Sequence, residues 1–262
     1  MLSANVLSSM NVMFATPCHN SMVTMEYTVS MYDLLKHSEK VGLRSSLHIL
    51  SGSLVTQSRN RLVAQFLSNP NYTHLFWIDS DISFKPEAVF RLLQSGHQVA
   101  VGVYPLKRFN WPKDGFPSGL TLEQIEGRFG SYPFNVLQDD NGNSQSVVDD
   151  EGFVEIAEAP CGFMVISRDV FLRMIDFYPS LQYRDDQADS DKSDFYWLFF
   201  DCMLEASTRR YLTEDFAFCH RWRQMGGKIQ ADATSQLSHA GQYVFRGDFQ
   251  QFLLAETQND QL

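Results

Sequence analysis

Along the first hundred residues, short apolar runs alternate with longer stretches in which apolar side chains recur every three or four positions. The runs are Asn11–Ala15, Leu47–Leu50, Leu75–Ile78 and Val99–Val103, and each reads as a strand. Between them, Tyr27, Met31, Leu34 and Leu35 predict one helix. Val55, Leu62, Val63 and Phe66 predict a second, closed by Asn69-Pro70. Pro86 opens a third, with Val89, Leu92 and Leu93 inward and Gly96 after its end. Strand–helix alternation of this kind predicts a parallel sheet with right-handed crossovers.

The pattern then changes. Asp139–Glu151 is polar and acidic, with Asn141-Gly142 as a turn signal. Val154–Ala157 alternates as a half-exposed strand would, and Met164–Ile166 is another apolar strand, followed by a helix carrying Val170, Leu172, Met174 and Ile175. Tyr183–Asp194 is again acidic and reads as a mobile loop. Thr213–Met225 reads as a helix ended by Gly226-Gly227, and Lys228–Ala231 as a late strand. We expect one domain over 1–262: a nucleotide-binding half (11–110), an acceptor and catalytic half (111–250) and a tail (251–262).

Composition narrows the class. The 262 residues are 44% hydrophobic, enough for a substantial core, and 31 acidic against 21 basic residues give a net charge of -10. An acidic chain is a poor partner for nucleic acid or anionic membrane. Cys18, Cys161, Cys202 and Cys219 are scattered without metal-ligand spacing and read as reduced thiols, which predicts a cytoplasmic protein. No run is long and apolar enough for a membrane span, and Met1–Met10 has no signal-peptide pattern.

Candidate chemistry centres on the run Leu75–Ile78 and the Asp79-Ser80-Asp81 that follows it. Open parallel sheets bind ligands past the carboxyl ends of their strands. Two carboxylates at i and i+2 there can reach one small volume and suit Mg²⁺ or Mn²⁺ with substrate phosphates. Taken alone, D-x-D fits a strand-end turn whose acids cap the next element better than a metal site. His239 can add an imidazole ligand, although a lone histidine is more often a core or surface residue. Glu214 and Asp215 sit where a turn becomes a helix. The helix dipole alone accounts for both, and one of them can instead serve as a general base. Arg59-Asn60 on the second helix, and Lys107 and Arg108 after the fourth strand, can meet phosphate or be solvated.

Taken in order, these elements resemble a GT-A glycosyltransferase, most similar to the family-2-like inverting enzymes of bacteria and their viruses. The resemblance spans roughly Asn11–Asp248. It rests on Thr16-Pro17 after the first strand, Arg59-Asn60, Asp79-Ser80-Asp81, Cys161-Gly162-Phe163-Met164 before a strand, Thr213-Glu214-Asp215 leading a helix with Arg221-Trp222-Arg223, and late His239. It implies a Rossmann-like mixed, mostly parallel sheet flanked by helices, with acceptor-side loops in the second half. By the same resemblance Thr16, Pro17, Arg59, Asn60, Asp79, Ser80 and Gly162 meet a nucleoside-diphosphate sugar, and Asp79, Asp81 and His239 hold Mn²⁺ or Mg²⁺. Asp215, or Glu214, is the base toward the hydroxyl of an acceptor glycan or other molecule. Phe218 stands where processive members carry glutamine ahead of Arg221-Trp222, which argues against a polymer synthase.

Two rival enzymes fit less well. A haloacid-dehalogenase-type phosphatase places D-x-D at its first strand and needs later acids, but Gly247-Asp248 is followed by Phe, Gln and Gln. A nucleotidyltransferase needs a glycine-rich loop after the first strand, and Thr16–Asn20 contains no glycine. A non-catalytic nucleotide-sugar binding module uses the same residues as the transferase. No G-x-G-x-x-G follows the first strand, which argues against a dinucleotide site.

Overall fold

The computed structural model describes residues 1–2, 4–113, 115–139, 141–144, 147–186 and 194–259. Its main strands are β1 (Asn11–Cys18), β2 (Arg44–Ser51), β3 (His74–Ile78), β5 (Val99–Gly102), β6 (Asn135–Val136), β7 (Phe153–Glu158), β8 (Phe163–Ser167) and β11 (Ile229–Asp232). They form one eight-stranded sheet in the order β2-β1-β3-β8-β5-β11-β7-β6. β2, β1, β3, β5, β11 and β6 run one way, and β8 and β7 run the other. The sheet is therefore mixed α/β, as expected. β8 enters it antiparallel between β3 and β5, pairing Ile78 with Phe163 and Val101 with Met164.

Helices cover both faces. On one side α2 (Val55–Ser68), α5 (Arg168–Phe177) and α6 (Glu214–Gln224) pack against Met13, Leu75, Trp77, Val101 and Met164. On the other, α1 (Met25–Lys40) and α3 (Pro86–Gln94) pack against Val12, Phe14, Phe76, Ile78 and Phe163. Alternate residues of one strand thus enter opposite cores. This explains why β3 is a continuous apolar run rather than an alternating one. Leu35 and Leu172 fit the helical spacing but are exposed, at 37% and 45%; Leu34 and Phe171 take the inward positions beside them. The short helix α4 (Leu122–Phe129) opens on a Thr121–Gln124 capping box.

Three differences from expectation matter. β1 does not end at Ala15 but continues through Pro17 to Cys18, so the turn starts at His19. β3 pairs with β1 only as far as Ala15, and beyond it β2 alone continues, so Pro17 lies where β1 has one bonded edge. Second, β4 (Ile82–Ser83), β12 (Ser238–Ala240) and β13 (Val244–Arg246) form a small sheet in the order β13-β12-β4. A further pair, β9 (Met203–Leu204) and β10 (Tyr211–Leu212), precedes α6. Third, much of the stretch read as a tail belongs to helix α7 (Phe249–Asn259), whose Phe249 is buried against Tyr132 and Phe134.

Two of the polar stretches are only partly described. Within Asp139–Glu151, Gly142 takes φ +82° as the turn signal requires, and residues 140, 145 and 146 lie outside the described residues. Of the acidic loop Tyr183–Asp194, residues 187–193 lie outside them as well; Asp185 is bonded to Arg61 at 2.6 and 2.8 Å.

Candidate functional site

The Asp79–Asp81 turn is held by backbone bonds to three distant parts of the chain. Asp79 N–H donates to the Gly162 carbonyl (2.9 Å), continuing the β3–β8 ladder by one residue. Thr24, the cap of α1, donates its N–H to the Ser80 carbonyl (2.9 Å). Ala240 N–H donates to the Asp81 carbonyl (2.8 Å), and β12 pairs with β4 so that His239 lies opposite Ile82. Pairing with two residues of β4 thus delivers His239 to Asp81.

The two acids have separate partners. Asp79 faces inward, with Arg59 Nη2 at 2.9 and 3.2 Å from its two oxygens. Arg59 is 3% exposed, lies over the Trp77 ring, and reaches Glu214 with Nε at 3.5 Å. Burial pushes the Asp79 carboxyl up, with Arg59 opposing and Asp81 adding to the rise. Burial also raises Glu214, again against Arg59. Asp81 faces the other way. Lys107 Nζ lies 2.6 Å from its Oδ2 and His239 Nε2 3.3 Å from the same oxygen. Burial opposes its ionisation, but hydrogen bonds from His239 and Lys107 outweigh that and draw the carboxyl below its ordinary value.

His239 has a defined tautomer. Its Nδ1 lies 2.9 Å from the Pro105 carbonyl, which can only accept, so Nδ1 carries a proton. Nε2 is then the ring nitrogen that faces Asp81 Oδ2, at 3.3 Å. Tyr104, just before Pro105, packs edge-on against the His239 ring at 5.2 Å and accepts the Gly162 N–H at 3.2 Å. A side chain at Gly162 has no room: a Cβ there would lie 2.6 Å from Asp79 Oδ2 and closer still to the Tyr104 hydroxyl.

An open cleft of ≈ 180 Å³ adjoins the turn, at the carboxyl ends of β1, β2 and β3. Pro17, Cys18 and His19 form one wall, Gly52, Ser53 and the start of α2 another, and Asp79, Ser80 and Asp81 the third. Asn20 and Ser21, next after His19, both take left-handed backbone conformations (φ 54° and 56°).

Of the residues singled out in the sequence, Pro17, Asp79, Ser80 and Asp81 line this cleft. Thr16 points the other way; it is fully buried and its hydroxyl lies 2.7 Å from that of Tyr27. Asn60 is buried too, and clamps the Phe200 backbone through a 2.9 Å bond in each direction. Arg59 stands behind Asp79 rather than at the open cleft. Asp215 accepts from the Phe216 N–H (2.8 Å) and the Thr213 hydroxyl, so its carboxylate caps the start of α6. Arg108 Nε donates to Ser131 Oγ at 3.2 Å. Tyr104 and the Pro105 carbonyl were not anticipated. The rule that flagged Asp79, a polar group just past a buried strand, also flags Tyr104 after β5.

Among the described residues, no three His, Cys, Asp or Glu side chains converge on one point as a metal cage. Asp81 and His239 nevertheless fit an ion as a pair. Their 3.3 Å spacing is close to the roughly 3 Å between neighbouring ligands of an octahedral ion. The Pro105 carbonyl on Nδ1 is the support that ligating histidines usually have. Mg²⁺ is typically held by one or two carboxylates, with substrate phosphates and water completing the shell.

No family model matches the chain, and no curated protein matches it. Solved structures show partial likeness. Protein A197 from STIV is 14% identical with a TM-score of 0.45, over 91% of this chain and 95% of that one. GalNAc-T7 with UDP, GalNAc and Mn²⁺ is 11% identical with a TM-score of 0.45, over 88% of this chain but 44% of its own length. The 4-diphosphocytidyl-2C-methyl-D-erythritol synthase from Anaerococcus prevotii is 10% identical with a TM-score of 0.34, over 83% of this chain and 98% of that one. At these scores the fold description rests on the strand order above, and the activities of those proteins carry no weight for this chain.

Proposed function

We propose that the protein is a metal-dependent glycosyltransferase of GT-A, family-2-like type, which moves a sugar from a nucleoside diphosphate to an acceptor hydroxyl with inversion. The observation that carries the reading is the convergence at one cleft mouth of a D-x-D turn, a tautomer-locked histidine and a lysine, with one helix-starting carboxylate, Glu214, joined to the turn through Arg59. Pro17 and Ser80 receive the nucleotide in the cleft. Asp81 and His239 hold Mn²⁺ or Mg²⁺, and Asp79 faces the donor from the Arg59 side. The ion, when bound, neutralises charge on the leaving diphosphate. The absence of a side chain at Gly162 lets the Asp79 carboxylate and the Tyr104 hydroxyl pack against the backbone there, which fixes the carboxylate that faces the donor. Asp215 takes the proton of the acceptor hydroxyl as it attacks the sugar from the face opposite the diphosphate. Glu214 keeps Arg59 aligned.

No helix among the described residues is long and apolar enough to cross a membrane, and the cysteines at 18, 161, 202 and 219 are free thiols, which fits a reducing compartment such as the cytoplasm. The test is incubation with a panel of nucleotide sugars and Mn²⁺, with donor hydrolysis as the readout. Mn²⁺-dependent release of nucleoside diphosphate from one donor supports the reading. No turnover of any donor, together with phosphate release from phosphate esters, would favour a phosphatase.

A further inference from the structure

Among the described residues, Lys107 and the ring of His239 are the two basic groups on Asp81. Lys107 Nζ lies 2.6 Å from Asp81 Oδ2, the oxygen that His239 Nε2 approaches at 3.3 Å. The Pro105 carbonyl holds the Nδ1 side of the His239 ring and leaves Nε2 facing that carboxylate oxygen. Lys107 thus sets a positive charge directly against the Asp81 oxygen to which an ion would bind. The lock and the cation come from one short segment, Pro105 and Lys107. The lysine stem runs past Gly241, where a Cβ would stand 3.1 Å from Cδ, so the missing side chain there leaves its path clear. The lysine side chain is 39% exposed and so keeps freedom to leave by rotating about its own stem. Asp81 lines the cleft in which the proposed diphosphate sits.

We propose that Lys107 holds the metal position on Asp81 in the free protein and exchanges it for the donor's phosphates when the divalent ion arrives. This rests on the metal-site reading above. An ion entering alone must displace the ammonium and then sit close to it, two like charges in a small space. An ion entering with a diphosphate gives the released ammonium an anionic partner. Metal and donor therefore bind together, and neither binds well alone.

The test uses the whole chain and Mn²⁺ alone, with free Mn²⁺ followed by electron paramagnetic resonance. Lys107→Met keeps the length of the stem and removes the charge; Lys107→Arg keeps the charge. Lys107→Met is expected to bind Mn²⁺ about tenfold more tightly than the wild type, in keeping with removal of a like charge at close range, and Lys107→Arg to match the wild type. With Mn²⁺ at saturating concentration, inorganic pyrophosphate is expected to bind Lys107→Met several-fold more weakly than it binds the wild type. Wild-type Mn²⁺ binding that Asp81→Asn removes but Lys107→Met does not strengthen overturns the exchange and leaves the metal site standing. Equal pyrophosphate binding by wild type and Lys107→Met overturns the handover to phosphate. No Mn²⁺ binding by any of these chains at millimolar concentration overturns both the exchange and the metal site. Melting temperatures without metal confirm that each variant is folded.

Discussion

Arg59 Nη2 lies 2.9 Å from Asp79 Oδ1, joining the buried face of α2 to the end of β3. The guanidinium is 3% exposed and stacks over Trp77, so its charge is compensated almost wholly by Asp79 and Glu214. Removing one partner of such a buried pair strands the other. Arg59→Met is expected to destabilise the fold by about 3–5 kcal/mol, read from urea unfolding. A change below about 1 kcal/mol, the scale of an exposed pair, would show that Asp79 and Glu214 are solvated without the arginine.

Asp81 is partly exposed and its backbone carries the turn, so Asp81→Ala should leave the melting temperature almost unchanged while abolishing Mn²⁺-dependent donor binding in calorimetry. His239→Ala should lower metal affinity more than it lowers the melting temperature without metal. The reverse order for His239 would make it a core residue, and undiminished binding by Asp81→Ala would make the acids structural.

Asp215 and Glu214 differ in their partners, and exchange of each for its amide separates them. If Asp215 is the base, Asp215→Asn should cut transfer by about 10²–10⁴ with donor affinity nearly unchanged. Glu214→Gln should act mainly through Arg59 and cost less. Initial rates with acceptor in excess decide the matter: a large loss with Glu214→Gln alone swaps the roles, and no loss with either points to a retaining mechanism.

Gly162→Ala places a methyl group 2.6 Å from Asp79 Oδ2 and against the Tyr104 hydroxyl. Neither neighbour is the free end of a flexible chain. Overpacking at such a point costs about 1–3 kcal/mol, and the displaced Asp79 should weaken donor binding in the same variant. A variant with normal stability and normal donor binding would mean that this floor yields.

His74, at the start of β3, gives the fold a pH dependence. Burial holds its imidazole neutral, with the pKa pushed down to about 4. In the unfolded chain the same ring takes a proton near 6.5. Between these values the unfolded state binds more protons, so stability falls as the pH drops from about 6.5 towards 4, and this contribution levels off below. The full span is worth at most about 3 kcal/mol. Urea midpoints at pH 7 and pH 5 should show the loss, and His74→Gln should flatten it; an unchanged slope in that variant would place the titration elsewhere.

The central strands were legible because burial on both faces writes a continuous apolar run, as in Leu75–Ile78. The acids after that run were legible for the same reason, since the run fixes where the strand stops. β4 and β12 were not. Two or three residues hold no periodicity, and their partner lies on the far side of the chain, so the pairing of Ile82 with His239 has no local trace. The extension of β1 through Pro17 was hidden because proline reads as a breaker unless one knows which edge is unpaired. Thr16 and Pro17 look alike as neighbours in sequence, yet strand alternation turns one into the core and the other into the cleft. The direction of Asp79 away from Asp81 depended on Arg59, a residue whose spacing in α2 says only that it lies on a helix.

The antiparallel entry of β8 between β3 and β5 bears on how the protein is made. A nascent chain that has reached residue 110 holds β1, β2, β3 and β5, but β3 and β5 are not neighbours and each waits for an edge that comes some sixty residues later in synthesis. Until Phe163–Ser167 emerges, β5 has no strand beside it, and the Asp79 amide lacks the Gly162 carbonyl that positions it. The cleft residues are thus translated early and assembled late. During that interval the open flanks of β3 and β5 are apolar strand edges of the kind that invite pairing with other chains.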